Sequence, residues 1–341
     1  MKIINRRSWT ALISLLASMK TAINLLIIVA IISALGTFIP QGQTPDFYIS
    51  QYGPGIGKVI LFLSLHSLYH SGWYQTLMAF LCLTVLICCY RRLRHARSLK
   101  KAASLCFHLA IVIILAGAAW SLGYARSASV EINEGENIDL ASYGFAQGVL
   151  SLQDFNIDYY PDFQPRQYRS KLHLIDYNGR EYTKEISVNH PLQAGNLKIY
   201  QSSWGWNLKI RNNSGKNSKS FTMKNRDAYL LNKADEMYLK AIFITDYDPT
   251  TGMDSKTPLP NNPNLVLALV QNDEVKDMAM IKAGSTAQLG QYQFSFKGYS
   301  YYSGLEIKSD PGVNMVFAGF ILLLIGLIAR YWQLFFARKG D

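Results

Sequence analysis

The chain has 341 residues, 49% of them hydrophobic, and a net charge of +11 from 34 Lys and Arg against 23 Asp and Glu. Such a basic balance suits nucleic acid, but much of the excess lies in short segments flanking apolar runs, where membrane topology and anionic lipid account for it. The four cysteines, Cys82, Cys88, Cys89 and Cys106, all fall in or beside two of those runs, and neither a CxxC pair nor a CxxCH motif occurs, which excludes a disulfide framework, a dithiol reductant and a c-type cytochrome.

Four apolar runs are each long enough for a transmembrane helix, which needs roughly 17 to 25 residues. The expected order is an interfacial N-terminal segment (1–20), a first span (21–39) closed by Pro40 and Gln41, an external loop (40–72), a second span (73–90), a basic loop (91–101), a third span (102–123), a polar insertion (124–311), a fourth span (313–332) and a short tail (333–341). Ser8 to Met19 gathers Trp9, Leu12, Ile13, Leu15 and Leu16 on one side, as an interfacial helix would. The first run lacks a small-x-small cleavage pattern and reads as a retained signal anchor. Lys and Arg concentrate before the first span, between the second and third, and after the fourth, so the positive-inside rule puts both termini in the cytosol and the insertion outside.

Within the insertion the hydrophobic period changes to two. Lys171 to Ile175 largely alternates, Asn178-Gly179 supplies a hairpin turn, and Tyr182 to Ile186 follows. Leu197 and Ile199, Leu208 and Ile210, and Tyr292, Phe294 and Phe296 alternate likewise, while Leu265 to Val270 reads as a central strand buried on both faces. The proline-rich stretch Thr250 to Asn264 is expected to be a loop. The fold class is therefore an α-helical membrane protein of four transmembrane helices, with a large extracytoplasmic all-β domain, sandwich- or barrel-like, between helices 3 and 4.

Few residues of the insertion suggest chemistry. His173 and His190 are too far apart to form a metal pattern and read as structural, and Trp204 and Trp206 read as core or as interfacial anchors. No nucleophile elbow, phosphate loop, HExxH or dinucleotide fingerprint occurs, so no catalytic residue is assigned. His108 is different: it is an ionisable group inside the third span, where its cost is seldom met without a function, and imidazole is the commonest metal ligand. The competing reading is a histidine near a helix end that bonds a neighbouring backbone or reaches the headgroups. Lys101 lies only about ten ångströms away along a helix, and Val112, Leu115 and Ala119 continue the face of His108 as an apolar wall. His66 and His70, one helical turn apart before the second span, form either a metal pair or a wet interfacial segment. Gly312, Gly319 and Gly326 recur at intervals of seven and read as a helix-packing seam.

Several stretches together resemble the ResB family (also called CcsB). They are LLIIVAIISALGTFIPQ (Leu25 to Gln41), LHSLYHSGW (Leu65 to Trp73) leading to CCYRRL, HLAIVIILAG (His108 to Gly117), NHPLQAGNLKIYQSSWG (Asn189 to Gly205) and Asp310-Pro311-Gly312. That resemblance implies a subunit of a system II cytochrome c synthase, which moves haem b across the membrane and presents it for attachment to apocytochrome c. It implies a tryptophan-rich membrane partner of the CcsA/ResC type and, at His108, one axial ligand of the haem iron. Trp204-Gly205-Trp206 is not an equivalent of the partner's tryptophan-rich segment. The run Arg91 to Lys101, with Arg91, Arg92 and Arg94 foremost, is a candidate to neutralise the haem propionates, the alternative being the topology signal alone, and His66 and His70 are accessory candidates. The expected location is a bacterial cytoplasmic membrane in preference to a thylakoid. On its own the chain is expected to handle haem and not to form thioethers. The alternative function is a membrane-anchored β-domain that scaffolds or captures a secreted partner without haem.

Overall fold

The computed structural model describes residues 18–93, 99–214, 218–233 and 235–336; the interfacial helix expected over Ser8 to Met19 and the expected tail fall largely outside them. Two compact units result, one of the described residues through Ala125 together with those from Asp310 onward, the other Arg126–Ser309.

The first unit is helical: α1 (Met19–Phe38), α2 (Pro45–Phe62), a 3-10 turn (Leu65–His70), α3 (Gly72–Leu93), α4 (Leu99–Tyr124) and α5 (Val313–Phe336). Four apolar stretches, in α1, α3, α4 and α5, run 19, 22, 24 and 20 residues. At 1.5 Å per residue they measure about 29 to 36 Å, enough for a hydrocarbon core of about 30 Å. Helix α2 is an addition to the expected loop between the first two spans. Its apolar periodicity is masked in the sequence because Gly53 takes φ 77° and Pro54 follows, kinking the helix.

The exit from α1 is a packed joint. The Gln41 amide reaches the carbonyls of Gly36, Ile39 and Leu65 at 2.9–3.0 Å, and its oxygen accepts from the Leu68 N–H at 2.9 Å. Tyr48 is fully buried and donates its hydroxyl to the Pro40 carbonyl at 2.5 Å. A side chain at Gly36 would put its Cβ 2.3 Å from Leu68 Cδ2. The Gly36 to Gln41 stretch thus satisfies the carbonyls at the end of a membrane helix, which nothing in lipid would satisfy.

Helix α5 lies backbone-close against α4. A Cβ added at Gly312 would sit 2.2 Å from the Gly117 carbonyl, at Gly319 2.6 Å from Ile114 Cγ1, and at Gly326 3.0 Å from the Phe107 nitrogen. Asp310 fastens the start of α5, its carboxylate accepting from the Ser121 hydroxyl at 2.6 Å and the Gly312 N–H at 2.9 Å.

The second unit is all-β. Its strands are β1 (Arg126–Asn133), β2 (Asn137–Asp139), β3 (Val149–Tyr159), β4 (Pro165–Tyr177), β5 (Arg180–Ser187), β6 (Leu192–Ala194), β7 (Leu197–Asn212), β8 (Lys219–Lys224), β9 (Ala228–Asn232), β10 (Met237–Ile244), β11 (Asn264–Gln271), β12 (Glu274–Lys282), β13 (Thr286–Leu289) and β14 (Tyr292–Ser309). Strands β2 to β5 and β9 to β12 form two antiparallel four-stranded sheets; the rest form a six-stranded sheet. The β4–β5 turn is Asn178-Gly179, both at positive φ (53° and 69°), with Tyr177 paired to Arg180 as a two-residue hairpin requires.

Two strands organise this unit. β7 and β14 pair along nearly their whole length, and each takes different neighbours at its two ends. Leu197, Ile199, Leu305 and Ile307 form a core with Leu150, Leu152, Leu172 and Leu174. Farther along the same strands, Leu208, Ile210, Phe294 and Phe296 form a second core with Leu239, Phe243, Leu265 and Leu267. Register shifts between Phe296 and Gly298 and between Gly304 and Leu305 reset the alternation, so odd and even residues serve one face at opposite ends. The result is two sandwiches sharing one sheet. Trp204 and Tyr301 pack against both cores, and Trp206 stacks on Tyr301 at 3.9 Å, so the tryptophans are core residues. His173 pairs with Glu181 on the outside of its sheet, and His190 bonds the nearby Val188 carbonyl.

Replacing Gly319 with Leu should separate α4 from α5. Overpacking of this kind costs about 1 to 3 kcal/mol or more. A lowered thermal midpoint of the full chain in detergent is expected, with Gly123→Ala, which meets no neighbour within 4 Å, as the tolerated control. Equal midpoints for Gly319→Leu and the unaltered chain would refute the seam.

Candidate functional site

Because α5 covers the face of α4 that bears Ala103, Ala110, Ile114 and Gly117, another face of α4 is left for α1 and α3. Between those three helices lies a groove of about 560 Å³, within the range of small-molecule sites. Helix α1 contributes Ala22, Ile23 and Leu26; α3 contributes Leu81, Val85, Cys88, Arg91 and Arg92; α4 contributes Lys101, Phe107, His108 and Ile111. One end is therefore cationic and the remainder apolar, with a single imidazole along the wall.

His108 is half-buried, and its Nδ1 lies 2.7 Å from the carbonyl oxygen of Ser104, one helical turn earlier. A carbonyl can only accept, so Nδ1 carries the hydrogen, and in the neutral ring Nε2 keeps its lone pair. That is the arrangement in which an imidazole ligates a metal through Nε2 while its other nitrogen is oriented by a backbone oxygen. The Arg92 guanidinium donates to the Ser104 hydroxyl at 2.8 Å, tying the last turn of α3 to the turn of α4 that holds His108. Ser104 is buried and serves both contacts, its carbonyl to the histidine and its hydroxyl to the arginine.

The groove gathers His108, Arg91 and Arg92 from the residues singled out in the sequence; Arg94 lies outside the described residues. Its α4 wall is Phe107 and Ile111, in place of the expected Val112, Leu115 and Ala119. His66 and His70 are elsewhere. They precede α3, whose opposite end bears Arg91 and Arg92 about 30 Å away at helical rise. Nor do they share one helical turn, because Ser67 between them is non-helical (φ −138°, ψ 45°). His66 packs edge-on against Tyr48, and His70 is exposed. Among the described residues no group of three or more His, Cys, Asp or Glu is arranged to hold a metal ion; the groove is lined by two side chains of ligating type, His108 and Cys88. Lys101, at the end of the basic run expected to serve the site, does line the groove, whereas Ser104 and the α1 side chains were not singled out. The i−4 spacing of Ser104 from His108 was the available signal, whereas the approach of α1 left none.

An apolar slot, one imidazole with its Nε2 lone pair available, and cations clustered at one end fit a flat amphiphile bearing a metal and carboxylates, which is what haem is.

Fold and groove together define a multi-pass membrane protein whose all-β insertion separates its third and fourth spans. The model of the ResB-like family matches residues 19–102, 95–295 and 250–334, and the chain belongs to that family. Its relatives include proteins named cytochrome c biogenesis protein CcsB. The one from Prochlorococcus marinus (strain MIT 9313) is 27% identical over 92% of this chain and 87% of its own length. That of a Picosynechococcus species is 24% identical over 96% and 84%. A solved cytochrome c heme lyase CcmF is similar at 14% identity and a TM-score of 0.33, over 91% of this chain and 39% of that one; the likeness is too slight to carry an argument.

The tautomer is measurable. With ¹⁵N-labelled histidine, the resonances lost in His108→Ala should be those of a neutral ring protonated at Nδ1 at neutral pH. A ring protonated at Nε2 would place the lone pair on the Ser104 side and rule out the proposed ligating atom.

Proposed function

We propose that this chain serves cytochrome c biogenesis as the haem-handling subunit of a membrane haem-attachment complex. Family membership and the CcsB relatives support the role in biogenesis. The single observation that carries the haem reading is the His108 imidazole, oriented by the Ser104 carbonyl and set in an apolar groove with cations at its end.

In this reading each group of the chain has a separate task. His108 Nε2 supplies one axial position to the iron of haem b, leaving the other to a second, tryptophan-rich membrane subunit. Ser104 holds the ring in its ligating tautomer. Arg91, Arg92 and Lys101 neutralise the haem carboxylates, and Ile23, Leu26, Phe107 and Ile111 exclude water from the macrocycle. Haem is cargo here, and axial identity is a principal lever on its reactivity.

The Lys and Arg distribution supports a topology with both termini in the cytosol and the all-β unit across a bacterial cytoplasmic membrane, so the groove opens at the cytosolic leaflet, where haem is taken up.

The chain co-purified with its tryptophan-rich partner should show a Soret band that falls severalfold in His108→Ala, with the complex intact. Added imidazole should restore it, as expected when a missing axial ligand is supplied from solution. An unchanged band in His108→Ala would remove this histidine from the ligand set. A complex that never carries haem would favour a scaffolding role for the β-unit.

Topology has its own check. Alkaline phosphatase fused within the β-unit should be active in a bacterial host, and the same fusion after Leu93 inactive; the reverse pattern would invert the orientation.

A further inference from the structure

We propose that the second half of α2, residues 55–62, is a re-entrant element seated in the lipid of the leaflet at the exit of α1, together with the turn that joins it to α3. The inference is independent of the haem reading.

The kink at Gly53 and Pro54 divides α2 into halves whose outer faces differ. Before the kink the exposed side chains are Asp46, Ser50 and Gln51, which suit water. After it Ile56, Val59 and Phe62 are exposed, followed by Leu63, with Lys58 at the edge of the face. Spacings of three and four residues put these apolar groups on one side of the helix. On the opposite side Gly57 and Ile60 are buried, and a Cβ at Gly57 would lie 2.8 Å from the Tyr48 carbonyl oxygen. This half is thus apolar on both faces. A helix of that kind belongs inside a protein core or a membrane. At 1.5 Å per residue it measures about 12 Å, too short to cross a hydrocarbon core of about 30 Å but enough to enter one leaflet.

What covers the outer face follows from where it lies. The Trp73 indole, in the first turn of the α3 span, donates to the Leu63 carbonyl at 2.9 Å. The end of α2 therefore stands level with the start of a membrane span. Phe62 is 86% exposed there, and Phe38, the last residue of the α1 span, is 80% exposed. Through Leu63 and Trp73, both exposed, the apolar face of α2 continues onto the lipid-facing surface of α3. The connecting turn has the hydrogen bonding that such depth demands. The carbonyls of Leu65, His66, Leu68 and His70 accept from Gln41, Gly42, Ser71 and Gln75 respectively, at 2.7–3.2 Å. Non-helical backbone is tolerated at membrane depth only where the protein satisfies it. Lys58, beside the apolar face, has a stem long enough to carry its charge to the headgroups.

The test uses the full-length chain. In bacterial membranes, p-benzoylphenylalanine in place of Val59 or Phe62 should, on irradiation, give a chain heavier by the mass of one phospholipid. The same group in place of Ser50 or Gln51 should give about tenfold less of that adduct. A second readout uses nanodiscs, where both membrane faces are open to reagent, and subtracts the background of the native thiols. There a water-soluble maleimide should modify Val59→Cys and Phe62→Cys about tenfold more slowly than Ser50→Cys and Gln51→Cys, because a thiolate forms poorly in apolar surroundings. Adducts of the Val59 and Phe62 probes with another protein, a second copy or this chain's own β-unit would overturn the proposal in favour of a protein-covered face. Equal labelling at all four positions would overturn it in favour of a face bathed in water.

Discussion

The close approach of α5 to α4 is the constraint on which the membrane unit depends. Lipid offers helices no hydrophobic reason to associate, so contact has to come from backbone-close packing, and only glycine permits it at Gly312, Gly319 and Gly326. Once one face of α4 is covered, the orientation of its other side chains follows from helical geometry. His108 and Ile111 lie on the part of α4 that borders the groove with α1 and α3. A side chain wedged into the seam would alter the groove without touching it.

The groove itself is a compromise between burial and solvation. An imidazole inside a membrane span is tolerable because one nitrogen bonds a carbonyl of its own helix and the other lines an open slot. Arg92 gains a buried hydroxyl partner in Ser104, which fixes the basic end of α3 against α4. The result is a wall of α3 and α4 that presents the His108 ring to the groove, with α1 as the opposite side.

Much of this was legible in the sequence because period and length are local properties. The four spans follow from uninterrupted apolar runs, and the β-unit follows from the switch to a period of two. The Asn178-Gly179 hairpin follows from the positive φ that such a turn requires. Other features were hidden for equally physical reasons. Helix α2 was obscured by Gly53 and Pro54, which interrupt its pattern. The equivalence of odd and even residues on β7 and β14 depends on bulges, which no alternation rule anticipates. His66 and His70 looked like one helical turn, but the 3-10 geometry around Ser67 separates them.

By itself, the sequence determined the number of spans, the class of the insertion, the glycine seam and the presence of an ionisable ligand type within a span. Each depends on side-chain chemistry read along a single element. Only the tertiary structure decided that His108, Arg91, Arg92 and Lys101 share one groove, that Ile23 and Leu26 form its opposite side, and that Ser104 sets the imidazole tautomer. Those facts depend on which faces of α1, α3 and α4 meet. That is settled by packing across elements, and no periodicity within one helix encodes it.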